Sequence, residues 1–220
     1  MRKLSEASAV LFDLDGTLTD PKEGITKSVA YALGKYGVAV GDRRTLYRFI
    51  GPPLAESFER FYGFSPAQAK EAVAYYREYF QDQGIFENAV YSGVRALLAA
   101  LRRAGKTLVM ATSKPEVYAE RIAVHFGIDR YFDCIAGSRL DGARVRKDEV
   151  IAYALDKAGL RGAPGAVMVG DREHDVFGAH ANGLPAAGVL YGFGGREELA
   201  AAGADWTAES VRALRGLLLA

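Results

Sequence analysis

Two aspartates two residues apart follow the first apolar run of the chain. Asp13 and Asp15 stand in the segment DLDGT, directly after the run Ala9–Phe12. Alternation along a strand would send the two side chains to opposite faces, but a strand that ends here, followed by a turn at Gly16, lets both enter one cleft. One carboxylate could then act as a nucleophile while the other transfers protons. Taken alone, the segment is also typical of an Asp-rich turn.

A second pair of carboxylates follows another apolar run, Ala166–Val169. Asp171 and Asp175 are four residues apart, so they share one face once the chain becomes helical. In a parallel sheet this strand end lies beside the end that carries Asp13. Like charges about 4 Å apart repel by about 4 kcal/mol at an effective dielectric constant of about 20, so such a cluster needs a cation. Ligands that are all oxygen favour Mg²⁺ over zinc, although acidic residues at a helix start also occur simply to complement the helix dipole.

Two hydroxyl residues lie at the end of another predicted strand, and a lysine lies at the start of a predicted helix. Thr112 and Ser113 end an apolar run, where hydroxyls can bind a phosphoryl oxygen, although N-capping ahead of Pro115 is an ordinary alternative. Lys147 opens a predicted helix, where a cation opposes the helix dipole and needs an anionic partner. A solvated lysine is the simpler alternative at that position.

Alternating strands and helices must position these groups. After Tyr91 the pattern predicts a helix from Val94 that stops at Gly105, and then strands and helices in turn. The predicted strands are 107–111, 132–136, 166–169 and 186–190, and the predicted helices between them include 115–126 and 148–158. This alternation predicts a parallel sheet covered on both faces, with ligands at the carboxyl ends of its strands. From Asp20 to about Val90 the spacing is helical throughout, which predicts an inserted all-helical segment.

Composition sets the broad class of the protein. With 220 residues, 50% of them hydrophobic, and a net charge of +1, the chain can bury a full core and has no general field to attract nucleic acid or anionic membranes. The single cysteine, Cys134, excludes a disulfide framework within the chain, so we expect a cytoplasmic protein. The run Ala9–Phe12 is too short for a signal core or a membrane span.

The order of an Asp pair, a Thr, a Lys and a second Asp pair resembles the haloacid dehalogenase-like superfamily, and the segment FDLDGTL from Phe12 is its most specific part. The resemblance covers essentially the whole chain and is closest to the phosphoglycolate phosphatase-like branch. It implies a Rossmann-like α/β core over 1–19 and 88–220 with a helical cap inserted at 20–87. It also implies a Mg²⁺-dependent phosphatase that acts on a small phosphorylated metabolite.

The resemblance also implies a role for each motif residue. Asp13 would be the nucleophile, and Asp15 would protonate the leaving oxygen and later activate water on the aspartyl phosphate. The implied phosphoryl-binding groups are the side chains of Thr112, Ser113 and Lys147 and the backbone amides of Gly16 and Thr17. The implied Mg²⁺ ligands are the carboxylates of Asp13 and Asp171 and the backbone carbonyl of Asp15, with Asp175 acting directly or through water.

Two positions depart from the family pattern. Ser113 stands where the family often has Asn, and Asp148 follows Lys147 where Pro is frequent. These departures leave open whether Lys114 or Lys147 is the main phosphate-binding lysine. We favour Lys147 and rank Arg146 third.

The helical insertion is expected to contact the part of the substrate that lies beyond the phosphate. The segment 48–54 is interpreted as a loop entering a helix, and Arg48 could pair with a substrate carboxylate there, although a surface pair with a nearby acid is a simpler role.

Phosphoglycolate is the first substrate that we expect, a nucleoside 5'-monophosphate the second, and broad activity on sugar phosphates the third. A dehalogenase has no need of Asp15. A phosphomutase and a catalytically silent binding module are further alternatives, and either a monomer or a homodimer is compatible with the sequence.

Overall fold

We describe a computed structural model of the chain over residues 3–220. Its strands are β1 (Ala9–Phe12), β2 (Thr19–Asp20), β3 (Ala89–Val90), β4 (Thr107–Pro115), β5 (Cys134–Ser138), β6 (Ala166–Gly170), β7 (Ala186–Val189) and β8 (Trp206–Ala208). Its α-helices are α1 (Lys22–Lys35), α2 (Leu54–Tyr62), α3 (Pro66–Tyr79), α4 (Val94–Arg103), α5 (Glu116–His125), α6 (Lys147–Lys157), α7 (Glu173–Ala181), α8 (Arg196–Ala201) and α9 (Val211–Leu219). Short 3₁₀ segments span Leu4–Glu6, Arg43–Phe49 and Asp129–Tyr131, and a π-helical turn spans Phe80–Gly84.

The chain divides into two compact units. The first contains the residues up to Asp20 together with Val90–Ala220, and the second is Pro21–Ala89. The sequence predicted a core of 1–19 and 88–220 around an insertion of 20–87, so the predicted limits lie close to these divisions. The chain passes from one unit to the other at β2 and β3.

A six-stranded parallel sheet forms the first unit, in the order β5-β4-β1-β6-β7-β8. Phe12, the last residue of β1, pairs with Met110 of β4 on one side and with Val169 of β6 on the other. The residues that follow these three central strands therefore lie at one edge of the sheet. The predicted parallel-sheet α/β fold is confirmed.

The apolar runs become the buried centre of this sheet. Every residue of β1 and of β6 is buried, as expected for strands that are covered on both faces. On one face, Leu11, Val109 and Met168 pack with apolar residues of α6 and α7. The predicted stop of the first core helix is also confirmed, since α4 ends at Arg103 and Gly105 has a φ of 75°.

The second unit is helical, and its helices begin and pack through short-range interactions. Ser65 forms a capping box at the start of α3: its hydroxyl accepts a bond from the Gln68 amide (3.3 Å), and the Gln68 side chain accepts one from the Ser65 amide (2.9 Å). Phe49 and Phe58 are buried against each other with ring centroids 5.1 Å apart. None of the helices within residues 3–220 combines the length and the apolar character that crossing a membrane requires.

Two local predictions can be compared with the structure. The segment 48–54 does lead into a helix, since a 3₁₀ segment ends at Phe49 and α2 begins at Leu54. The strand expected from Phe132 begins at Cys134. Just before this strand, the Asp133 amide donates to the Leu108 carbonyl (2.8 Å) and the Asp133 carboxylate accepts a bond from the Leu108 amide (2.9 Å).

Candidate active site

Asp13 and Asp15 lie in a tight turn at the end of β1. The Asp13 amide still bonds to the Val169 carbonyl (2.9 Å), so this residue continues the sheet. The chain then turns around the Leu14 carbonyl, which accepts bonds from the three amides of Thr17, Leu18 and Thr19 at 3.3, 2.9 and 3.0 Å. The turn keeps both aspartates buried, at 4% and 7% exposure.

Gly16 makes this turn possible. Its φ of 82° lies in the left-handed region, and a Cβ atom here would overlap the Asp171 carboxylate. The phosphate contact predicted for the Gly16 and Thr17 amides stays a prediction, and in this structure both amides bond within the turn. The Gly16 amide donates to the Thr19 carbonyl (2.8 Å) and the Thr17 amide to Leu14, so both amides hold the turn together.

The second carboxylate pair follows β6. Asp171 comes directly after the strand and is fully buried, while Asp175 lies in the first turn of α7 and accepts a bond from the Arg172 amide (3.1 Å). One carboxylate oxygen each from Asp13, Asp171 and Asp175 lie within 4.8 Å of one another. The structure therefore brings together the two pairs that the sequence places 158 residues apart at Asp13 and Asp171.

Lys147 and Lys114 contact different carboxylates. Lys147 Nζ lies 2.9 Å from Asp13 Oδ1 and 2.8 Å from Asp175 Oδ1, and it donates to the Ala111 carbonyl (3.3 Å). Lys114 Nζ lies 2.8 Å from Asp15 Oδ2. Lys147 thus bridges the nucleophile candidate, Asp13, and Asp175 of the second motif, whereas Lys114 pairs with the proton-transfer candidate, Asp15.

Thr112 and Ser113 lie near the carboxyl end of β4. Thr112 is 2% exposed, and its hydroxyl accepts a bond from the Lys114 amide (3.3 Å). Ser113 is partly buried. The pairing register between β4 and β5 shifts between Thr112 and Pro115, which marks an irregular strand end.

Burial and like charge change the proton affinities of the acidic groups. Burial raises the pKa of Asp171 well above 3.8, and the nearby carboxylates of Asp175 and Asp13 raise it further. Burial also raises the pKa of Asp15 and of Asp175, although Lys114 and Lys147 respectively act in the opposite direction. For Lys147 burial lowers the pKa, but the attraction of Asp13 and Asp175 prevails and raises it.

The donor set at this edge fits a divalent cation. The buried carboxylates of Asp13, Asp15, Asp171 and Asp175 outnumber the ammonium groups of Lys114 and Lys147. Within residues 3–220, one oxygen each of Asp13, Asp15 and Asp175 is buried without a well-aligned hydrogen bond. The Oδ1 atoms of Asp13 and Asp175 lie 2.9 and 2.8 Å from Lys147 Nζ, so this ammonium group offsets part of their charge. An oxygen-only, electron-rich cluster of this kind suits a hard cation.

Sequence reasoning missed a loop after β7 that encloses Asp171. The Phe193 amide donates to Asp171 Oδ2 (2.7 Å), and a Cβ atom at Gly192 or Gly194 would overlap Asp171. Tyr191 donates from its hydroxyl to the Thr17 carbonyl (3.0 Å). The glycine-rich composition of 192–195 indicates a loop, and its place after a parallel strand puts that loop at the same sheet edge as the aspartates.

Arg48 belongs to the second unit, where aromatic rings surround its charge. Its guanidinium lies 4.3 Å from the ring centre of Phe61 and 5.6 Å from that of Tyr62. The side chain is exposed, so the edges of the guanidinium remain accessible to solvent.

Comparisons with known proteins find relatives along nearly the whole chain. The family model of the haloacid dehalogenase-like hydrolases matches residues 10–189. A 5'-nucleotidase from Pseudomonas aeruginosa is 50% identical over 209 residues, covering 95% of this chain and 94% of that protein. A phosphoglycolate phosphatase from Cupriavidus necator is 35% identical over 217 residues, covering 96% and 93% respectively.

Two further similarities complete the comparison. A protein from Mycobacterium tuberculosis named tyrosine-protein kinase PtkA is 45% identical over 186 residues, which are 84% of this chain but 62% of that protein. The crystal structure of a predicted phosphatase from Clostridium acetobutylicum superposes with a TM-score of 0.95 at 50% identity, covering 98% of this chain and 99% of that chain.

Proposed function

Because the chain belongs to the haloacid dehalogenase-like hydrolase family, we propose that it hydrolyses a small-molecule phosphomonoester through an aspartyl phosphate on Asp13. The enzyme class, a phosphoric monoester hydrolase, follows from relatives that match nearly the whole chain. The observation that carries the mechanism is the position of Asp13, buried between Lys147 and the acidic pair Asp171 and Asp175.

The proposed reaction has two steps. In the first, a carboxylate oxygen of Asp13 attacks phosphorus, the bond from phosphorus to the ester oxygen breaks, and Asp15 gives its proton to the departing oxygen. In the second, Asp15 takes a proton from water as the water oxygen attacks phosphorus, which releases phosphate and restores the Asp13 carboxylate. Burial raises the pKa of Asp15, which favours the protonated form that the first step needs.

Charge on the phosphoryl group must be neutralised while the bonds change. We assign this to Lys147, with the hydroxyls of Thr112 and Ser113 at the neighbouring strand end. Lys147 is preferred over Lys114 because its ammonium group contacts Asp13, while that of Lys114 contacts Asp15.

Mg²⁺ is the proposed cofactor. Asp13, Asp171 and Asp175 would hold it with their carboxylates, together with the backbone carbonyl of Asp15. When bound, Mg²⁺ supplies positive charge for the phosphoryl oxygens and offsets the surplus of buried carboxylates.

A nucleoside 5'-monophosphate becomes the first substrate candidate, ahead of phosphoglycolate. The relative named 5'-nucleotidase shares 50% of its aligned residues with this chain, against 35% for the one named phosphoglycolate phosphatase. We further propose that Pro21–Ala89 acts as a cap and that Arg48 contacts the substrate beyond its phosphate. The single Cys134 supports a cytoplasmic site of action.

The test is phosphate release with Mg²⁺ from nucleoside 5'-monophosphates, phosphoglycolate, sugar phosphates and pyrophosphate. Asp13→Asn is nearly isosteric, so we expect a folded variant without turnover. Asp129→Asn, in the 3₁₀ turn before β5 at the opposite sheet edge, is the matched control and should retain wild-type activity.

The results separate the candidates. One dominant kcat/KM identifies the substrate, and broad weak turnover leaves the enzyme class but removes the nucleotide assignment. Wild-type turnover in Asp13→Asn contradicts the mechanism, and activity that survives thorough chelation with EDTA contradicts the metal assignment. Because one relative carries a kinase name, the assay also includes transfer from ATP to tyrosine peptides, which would point away from simple hydrolysis.

A further inference from the structure

The loop Tyr191–Gly194 contacts both acidic motifs at once. At one end, the Tyr191 hydroxyl donates to the Thr17 carbonyl (3.0 Å) in the turn after β1. Two residues later, the Phe193 amide donates to Asp171 Oδ2 (2.7 Å) after β6. One short segment therefore ties together the ends of two neighbouring central strands.

Thr17 connects Tyr191 to Asp171, because its carbonyl accepts from Tyr191 and its hydroxyl donates to Asp171. Its hydroxyl is fully buried and donates to Asp171 Oδ1 (3.4 Å). Both oxygens of Asp171 thus accept bonds from protein groups, whereas one oxygen each of Asp13 and Asp175 accepts no well-aligned bond. A carboxylate has about four lone-pair sites, so Asp171 can accept these bonds and still bind a cation.

Close packing also fixes the loop Tyr191–Gly194 against Asp171. Glycines occupy positions 16, 192 and 194, and a Cβ atom at any of them would overlap Asp171. The ring of Tyr191 packs edge-on against Tyr91 with centroids 5.1 Å apart. The Tyr191 side chain is therefore held at both its ring and its hydroxyl.

We propose that Tyr191 is a positioning residue that orients Asp171 as a cation ligand, acting through Thr17. The inference rests on the proposed metal site of the proposed function, but not on the identity of the substrate. Ligating carboxylates that are fixed by outer hydrogen bonds bind metal more tightly, and loss of such a partner typically weakens binding by about 10-fold or more.

The experiment measures cation binding directly, without substrate. Mn²⁺ is titrated into the chelator-treated full-length protein while free Mn²⁺ is followed by electron paramagnetic resonance, and Mg²⁺ affinity is obtained by competition. Tyr191→Phe removes only the hydroxyl, and we expect its Kd for both cations to rise by about 10-fold, with an unfolding midpoint close to that of the wild type.

Matched variants separate positioning from a general loss of structure. Tyr131→Phe removes a hydroxyl that accepts from Arg130 (3.2 Å) in the turn before β5, and it should leave Kd unchanged. Thr17→Val should weaken binding in the same direction as Tyr191→Phe, and Thr17→Ser, which keeps the hydroxyl, should restore it.

Each outcome decides the proposal. Wild-type Kd values in Tyr191→Phe, or an equal loss in Tyr131→Phe, would overturn it, as would a wild-type protein that binds neither cation. If the wild type binds Mn²⁺ and Tyr191→Phe weakens that binding while no phosphate ester is hydrolysed, the proposed function fails and the positioning role stands.

Discussion

Removing the Lys147 ammonium group should destabilise the metal-free protein more than any surface charge does. Nζ lies 2.9 Å from Asp13 and 2.8 Å from Asp175, and the Lys147 side chain is 5% exposed. At an effective dielectric constant of about 20, each contact corresponds to about 6 kcal/mol of attraction. Most of this offsets the cost of burying the charges, and breaking a buried pair costs about 3–5 kcal/mol in net stability.

Lys147→Met keeps the aliphatic stem and removes the charge, so we expect its free energy of unfolding in EDTA at pH 8 to fall by about 3–5 kcal/mol. The matched control on the same helix is Lys157→Met. Lys157 pairs with Glu116 (2.9 Å), but its side chain is 31% exposed, so the control should lose no more than about 1 kcal/mol.

Urea unfolding measures the free energy of unfolding of both variants, and an m-value equal to that of the wild type shows that the change is one of stability. The loss in Lys147→Met should be smaller at pH 5, because burial raises the pKa of Asp175 and this carboxylate can then take up a proton and remove the unpaired charge. If Lys147→Met is as stable as Lys157→Met at pH 8, the buried pairs do not contribute as argued and the electrostatic account of the site is wrong.

Two other predictions concern the same cluster. Gly194→Ala would place a methyl group on the Asp171 carbonyl and should cost about 1–3 kcal/mol by overpacking, whereas Gly195→Ala, whose Cβ meets nothing within 4 Å, should be nearly neutral by urea unfolding; equal losses would contradict the close packing. Burial raises the pKa of Asp171, Asp15 and Asp175 above 3.8, so the folded chain retains protons that the unfolded chain releases above about pH 4. Their contribution to stability in EDTA should therefore fall as pH rises above about 4. Mg²⁺ should flatten that slope, and a slope that Mg²⁺ leaves unchanged would contradict this reasoning.

The sequence could predict those parts of the site that depend on strand ends. Asp13, Thr112 and Asp171 each follow a run of buried apolar residues, and parallel strands bring such ends to one sheet edge. The pattern therefore predicted both the fold and the grouping of the acidic pairs. Helix limits were predicted to within a residue or two, as for α6, which begins at Lys147 rather than Asp148.

Contacts that depend on packing between distant segments could not be predicted. Which carboxylate each lysine meets depends on how β4 ends and how α6 packs, and neither leaves a periodic signal near Lys114 or Lys147. The edge strand β8 is only three residues long, Trp206–Ala208, which is too short for alternation to reveal. The bond from the Gly16 amide to the Thr19 carbonyl could not be predicted either, because a sequence motif does not record which donors a turn uses within itself.

The balance of charges at the sheet edge argues that the cluster serves a ligand rather than the fold. An ion pair that merely stabilises a core needs one cation for each anion, and replacing it with apolar residues is often neutral or favourable. Here Lys114 pairs with Asp15, and Lys147 pairs with Asp13 and Asp175. The pKa of Asp171 is instead raised by burial and by its acidic neighbours. The chain nevertheless holds Asp171 in place with a tyrosine, a threonine hydroxyl and three glycines that approach its side chain or backbone closely. Such fixed orientation of an electrostatically unfavourable group is what a cation-dependent site requires, because a ligand that is already oriented loses little entropy when it binds.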